Sequence, residues 1–265
     1  MSDSNARTMP LPTDTLAALL RPAANPALRC SALQSLMASD EHKAAEFIVD
    51  QLCGEVLSSA WRNQLVLFAE SAQTSDETLR RRLKQRLLEI AASLRESAEA
   101  EVRPVVCSAI RTYASLISPS EVETLTRFLD PPRPVETRLV TLQSIVYVYE
   151  AHPPEDASVP RTLADRIDEL AQKFLDRDWL VAGEKAAIGQ NAAHALAAMG
   201  DARVADCVER VLSLGMPWVI RQLARKLEST RRIWQVKGVE DSDPPAQRLC
   251  AQLRRLTQAP VDNPN

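Results

Sequence analysis

A basic residue followed at fixed offsets by apolar ones recurs six times along this chain, and that recurrence limits the folds available to it. The basic positions are Arg29, Arg62, Arg103, Arg138, Lys185 and Arg221. Three residues on stand Ala32, Leu65, Val106, Thr141, Ile188 and Ala224; seven on stand Leu36, Ala69, Ile110, Ile145, Ala192 and Glu228. Offsets of three and seven return to one face of an α-helix, so each segment reads as a helix with a buried stripe. By subtraction the basic positions are 33, 41, 35, 47 and 36 residues apart. That interval holds a helix, a turn, a second helix and a loop, the unit of a stacked helical repeat.

Composition agrees with helices. Six glycines and 4% aromatic residues argue against hairpin-rich β folds, and 45% hydrophobic content across 265 residues is enough for a substantial core. The 17 prolines and the polar clusters punctuate apolar helical spacing that runs almost continuously after Thr13. Leu163, Ile167, Leu170, Ala171, Phe174 and Leu175 make one such amphipathic face. Ser75 and Ser118 are candidate helix starts, the latter with Pro119, Ser120 and Glu121 behind it, and Gly200 and Gly215 are candidate helix ends. Roughly a dozen helices with short connections are predicted.

One segment stands apart. GEKAAIGQNAAHALAAMGDARV, residues 183 to 204, keeps helical character but has almost no bulky side chains. Ala186, Ala187, Ala192, Ala193, Ala195, Ala197 and Ala198 allow neighbouring helices to approach on more than one side, which predicts a tightly enclosed helix.

The basic and small-residue pattern, together with LDPPRPVETR at residues 129 to 138 and AAHALAAMGDARV at 192 to 204, resembles the HEAT and HEAT-like, armadillo-like repeat family. The resemblance implies an all-α fold, an α-solenoid or right-handed superhelix of about six stacked antiparallel helical hairpins. The resemblance covers most of residues 13 to 237, and the solenoid is expected to span 13 to 258, with disordered tails at 1 to 12 and 259 to 265. EAHPPEDASVPR, near residues 151 to 161, is a candidate joint between two halves. Glu228 breaks the apolar seventh position, which suits a terminal cap. The family further implies that the basic positions form a structural ladder along the stack, with Asp130 and Asp178 as candidate partners.

Motifs for chemistry are sparse. His42, His152 and His194 come with no H-E-x-x-H motif and no His-Glu dipeptide, the pattern used by HEAT-like iron hydroxylases, so neither a metal nor a cofactor is expected. Core packing is the expected role of His194. Cys30, Cys53, Cys107, Cys207 and Cys250 are widely spaced and form no C-x-x-C pair; they read as mostly buried thiols of a reducing, cytoplasmic compartment. No signal-peptide core or membrane-length apolar stretch is visible. No motif of the HEAT-like DNA glycosylases or chromophore lyases maps onto the chain, although Trp179 beside Asp176 and Asp178 supplies residue types that could hold a base.

Two basic runs bear on binding. LRRRLKQR at residues 79 to 86 reads as a solvated helix face. The second run, within residues 218 to 237, places Trp218, Arg221, Arg225, Lys226, Arg231, Arg232 and Trp234 together with only Glu228 opposing, and is the candidate partner-binding surface. A net charge of -3, from 32 basic and 35 acidic side chains, lacks the excess of a dedicated nucleic-acid binder. The expected function is therefore a non-enzymatic scaffold that binds a protein. The alternative is a nucleic-acid-binding or base-processing protein using the 218 to 237 surface. The enclosed alanine helix makes a direct prediction: Ala193→Trp should overpack it and lower the unfolding free energy by about 1 to 3 kcal/mol or more, measured by urea denaturation.

Overall fold

The computed structural model describes residues 15, 19, 20, 25–53, 59–71, 76–93, 103–130, 133–154, 160–175 and 182–258. Both predicted tails, Ser75 and the 176–181 segment holding Asp176, Asp178 and Trp179 lie outside these residues. The described residues contain eleven α-helices and one 3₁₀ helix, and the chain forms two compact units, Met1–Leu116 and Ile117–Asn265. The candidate joint at 151 to 161 thus falls inside the second unit. Residues 155–159 of it lie outside the described residues, and hydrogen bonds join Glu150 and Tyr149 before it to Thr230 and Trp234 after it.

The first unit contains α1 (Pro26–Ser39), α2 (Glu41–Cys53), α3 (Ser59–Ser71), α4 (Glu77–Ser93) and α5 (Arg103–Leu116). Besides neighbours in sequence, α2 packs on α4 and α3 on α5. Alternate helices therefore share a layer. Local sequence sets the starts: Asn25 accepts a hydrogen bond from the Ala27 amide ahead of Pro26, and Asp76, one position after the expected Ser75, accepts from the Thr78 and Leu79 amides.

The second unit opens with the 3₁₀ helix Pro119–Phe128, followed by α6 (Val135–Ala151), α7 (Arg161–Leu175), α8 (Ala182–Ala198), α9 (Val204–Ser213), α10 (Pro217–Val236) and α11 (Pro244–Gln258). Ser118 starts the 3₁₀ helix as expected, its amide donating to the Glu121 carboxylate at 3.3 Å. Here too alternate elements pair: the 3₁₀ helix with α7, α7 with α9 and α9 with α11 in one layer, α6 with α8 and α8 with α10 in the other. The helices that carry the recurring basic residues all belong to this second kind of layer.

The recurring register is the core register. Leu36, Ala69, Ile110, Ile145 and Ala192 are all buried, whereas Glu228 is not. Helix α8 contacts α6, α7, α9, α10 and α11, so the alanine-rich segment is enclosed by five helices. A bulky residue has no free face to occupy. Even a methyl group at Gly189 would stand 3.0 Å from Leu175 Cδ2 and 3.1 Å from Val211 Cγ2, so α7 and α9 are held at the approach glycine allows.

Two of the recurring basic residues stack on aromatic rings. Arg29 stacks over the Trp61 ring at 4.5 Å and Arg138 over Phe174 at 5.2 Å, cation–π contacts to a neighbouring helix. A polar ladder runs through the other layer. Arg82 of α4 bonds Asp50 of α2 at 3.0 Å, Thr162 of α7 bonds Glu123 of the 3₁₀ helix, Arg203 and Arg210 of the α9 segment bond Asp165 and Asp168 of α7, and Arg255 of α11 bonds Glu209 of α9. In each of these the donor lies on the later helix and the carboxylate on the earlier one. The LRRRLKQR run also bonds carbonyls of neighbouring helices, Arg80 forward to Leu116 of α5 and Arg86 back to Leu52 of α2, while Leu79, Leu83 and Leu87 are buried.

Gly200 ends α8 in a Schellman motif, with the Asp201 amide bonding the Leu196 carbonyl and the Gly200 amide bonding that of Ala197. Its φ of 68° is left-handed, and an added Cβ would stand 2.8 Å from Pro245 Cβ. Gly215 is also left-handed, at 63°, but an added Cβ would meet nothing within 4 Å. Gly200→Ala should therefore cost about 2 kcal/mol or more, and Gly215→Ala about 1 kcal/mol, the cost of φ alone. Equal losses in urea denaturation would show that the approach of Pro245 carries no energy.

Candidate interaction surface

Helix α10 begins at Pro217, where the missing amide hydrogen is harmless, and ends at Val236, stopped by Gly238, whose φ of 85° forms a second Schellman motif with the Val239-to-Trp234 hydrogen bond. Between these ends the helical period sorts its side chains into distinct faces. Val219, Ile220, Leu223, Leu227, Thr230 and Trp234 are buried, and Trp218, Arg221, Arg225 and Arg232 are exposed.

The structure accordingly divides the seven residues of the candidate surface. Trp234 is 1% exposed and its Nε1 donates to the Tyr149 carbonyl at 3.0 Å, so it seals α10 against α6. Lys226 points at α8, where its Nζ donates to Asn191 Oδ1 at 2.7 Å, and partial burial lowers its pKa. Arg231 forks onto Asp241 with bonds of 3.0 and 2.5 Å, and Arg232 bonds Glu228 at 2.9 Å. Trp218, Arg221 and Arg225 keep their outward positions, and neither arginine makes an ion pair among the described residues.

A groove of about 560 Å³ lies between α10 and α11. Arg225, Glu228, Arg231 and Arg232 line one wall, with Cys250 and Arg254 opposite and Ala224 and Leu253 supplying apolar surface. Glu228 and Asp241 are engaged by Arg231 and Arg232, which leaves Arg225 and Arg254 as the uncompensated charges on the groove. Sequence reading missed Arg254, because only folding brings α11 beside α10.

Behind α10 a buried polar chain joins three helices. Thr230 donates its single hydroxyl proton to Glu150 Oε1 at 2.6 Å, and so accepts from His194 Nε2 at 2.8 Å. That assigns His194 as the neutral Nε2–H tautomer. Burial, reinforced by Lys226, pushes its pKa down to about 3, and burial raises that of Glu150. The expected core role of His194 is therefore a hydrogen-bonded one.

Cys207 is buried, with its thiol pushed up to about 12 by desolvation, but Cys53 is exposed and Cys30, Cys107 and Cys250 are half-buried. The expectation of mostly buried thiols is corrected accordingly. His42 lies 3.6 Å from Glu46, an exposed pair one helical turn apart that a search for dipeptides overlooks. Among the described residues no group of three or more His, Cys, Asp or Glu is placed to hold a metal ion, and no helix is long and apolar enough to cross a membrane. Comparison with family models, curated proteins and solved structures finds no match to this chain.

The histidine gives a pH prediction. Its folded pKa, about 3, lies below the ordinary 6.5, so protons bind the unfolded chain more readily. Its contribution to stability is complete above pH 6.5 and is lost as pH falls toward 3, at up to about 1.4 kcal/mol per pH unit. Glu150, raised by burial, has the opposite sign and offsets part of this loss around its own titration. His194→Gln should flatten the stability profile between pH 6.5 and 5 in urea denaturation; an unchanged slope would remove His194 as its source.

Proposed function

We propose that this chain is a non-enzymatic HEAT-like α-solenoid scaffold that binds a protein partner. Several features support the architecture: alternate helices share layers within each unit, five of the six recurring seventh positions are apolar and buried, and hydrogen bonds step from several helices to the preceding one of their layer. A stack of this kind holds side chains from separate hairpins at fixed spacing, which suits recognition by an extended surface.

The observation that favours a protein over a nucleic acid is the division of the basic surface. Trp234 is buried and unable to stack on a base, Lys226 turns inward, and Arg231 and Arg232 are neutralised by carboxylates. Too few free cations remain on α10 to follow a phosphate backbone, but enough remain to recognise a few carboxylates within a partly apolar interface. Binding to nucleic acid through Trp218, Arg221 and Arg225 is the competing reading.

The test is affinity capture from native lysate at about 50 and 300 mM salt, with half of each sample treated with nuclease. A protein partner retained after nuclease and at the higher salt is the expected outcome. Recovery of nucleic acid alone, lost at the higher salt, would replace the scaffold reading with its competitor.

A further inference from the structure

The groove between α10 and α11 repeats, at the end of the described chain, a position that is filled one step earlier in the stack. There the preceding pair, α8 and α9, receives α11: Pro245 closes on Gly200 at the end of α8, and Arg255 bonds Glu209 of α9. No described element fills the corresponding place beside α10 and α11. The element that occupies the place one step earlier is a helix.

The chemistry of the groove identifies its occupant. In the ladder that joins α2 to α4, the 3₁₀ helix to α7, α7 to α9 and α9 to α11, each earlier helix offers a carboxylate to a donor on the later one. Helix α11, PPAQRLCAQLRRLTQ, has no Asp or Glu on any face. It offers Arg254 instead, and Arg225 stands on the opposite wall, both without an ion-pair partner among the described residues. The carboxylates that a second copy could offer from α2 are for the most part already paired within the chain, Glu46 with His42 and Asp50 with Arg82. The occupant must bring the carboxylates.

Building on the scaffold reading, we propose that the α10–α11 groove seats an acidic amphipathic helix of a different protein, its carboxylates on Arg225 and Arg254 and its apolar side on Ala224 and Leu253. Glu228 and Asp241 do not compete for these arginines, because Arg231 and Arg232 already hold them. The engaged pairs also brace the walls, since Arg231 fastens α10 to the connection before α11 through both oxygens of Asp241. Rigid walls reduce the ordering that docking requires.

The probe is a fluorescein-labelled helical peptide of about twenty residues, leucine on one face and glutamate flanking it, beside its glutamine counterpart and a single-stranded oligonucleotide of equal charge. Anisotropy titration of the full chain should show the glutamate peptide binding at least about tenfold more tightly than the other two. Arg225→Glu with Arg254→Glu should weaken it about tenfold or more, whereas Arg81→Glu with Arg111→Glu, an equal charge change on exposed residues of the first unit, should leave it unchanged. Equal weakening by both pairs, preference for the oligonucleotide, or absence of glutamate-peptide binding at low salt would overturn the proposal. A captured protein partner that remains bound to the Arg225→Glu, Arg254→Glu variant would refute the groove assignment and leave the scaffold reading standing.

Discussion

Everything in the second unit depends on how closely other helices approach α8. Five helices touch it, and they can do so because its surface is built of alanine and one critical glycine. Close packing of this kind gains dispersion energy on every side while tolerating little change in volume. The small helix also determines where the larger side chains go: Leu175 and Val211 fill the space over Gly189, and Trp234 reaches α6 to bond Tyr149. The outer helices are positioned by what α8 lacks.

Much of the fold was legible in the sequence because helical repetition is a local signal. The offsets of three and seven named the buried face in five of the six recurring segments, and Glu228 marked the departure in the sixth. Gly200 and Gly215 were readable as helix ends because each takes a left-handed φ that glycine tolerates. The candidate surface was less legible. Seven residues scattered over positions 218 to 234 do not all share one helix face, and Lys226 and Trp234 fall on the inner side while Arg225 remains outside. Arg254 is separated from Arg225 by a helix reversal, so no pattern within a single helix could pair them. The division at Leu116 was likewise hidden, since contacts rather than loop length decide where a unit ends.

The polar bonds have an orientation that apolar packing alone would not impose. Donors on later helices reach back to acceptors on earlier ones in both layers: Thr112 of α5 bonds the Val66 carbonyl of α3, and Lys226 of α10 bonds Asn191 of α8. Most of these pairs are partly exposed and individually weak, worth less than the helix contacts they accompany. Their value lies in register, because a carboxylate met by a guanidinium at one height along a helix disfavours sliding by a turn. Two donors reach forward instead: Arg80 of α4 meets the Leu116 carbonyl of α5 at the surface, and His194 of α8 meets Thr230 of α10 inside the protein.

The placement of those buried bonds has a consequence for stability. Helices α6, α8 and α10 are fastened to one another at Tyr149, Glu150, His194, Thr230 and Trp234, all in their C-terminal halves, while the first turn of α8 is largely exposed. The polar fastening of this layer is thus concentrated toward one end, while its other end is held by apolar burial, through Val140, Leu142, Ala186, Ile188, Val219 and Leu223. The two ends therefore answer to different solvents: acid reaches the layer through its histidine end, and urea, which solvates apolar surface, acts on both.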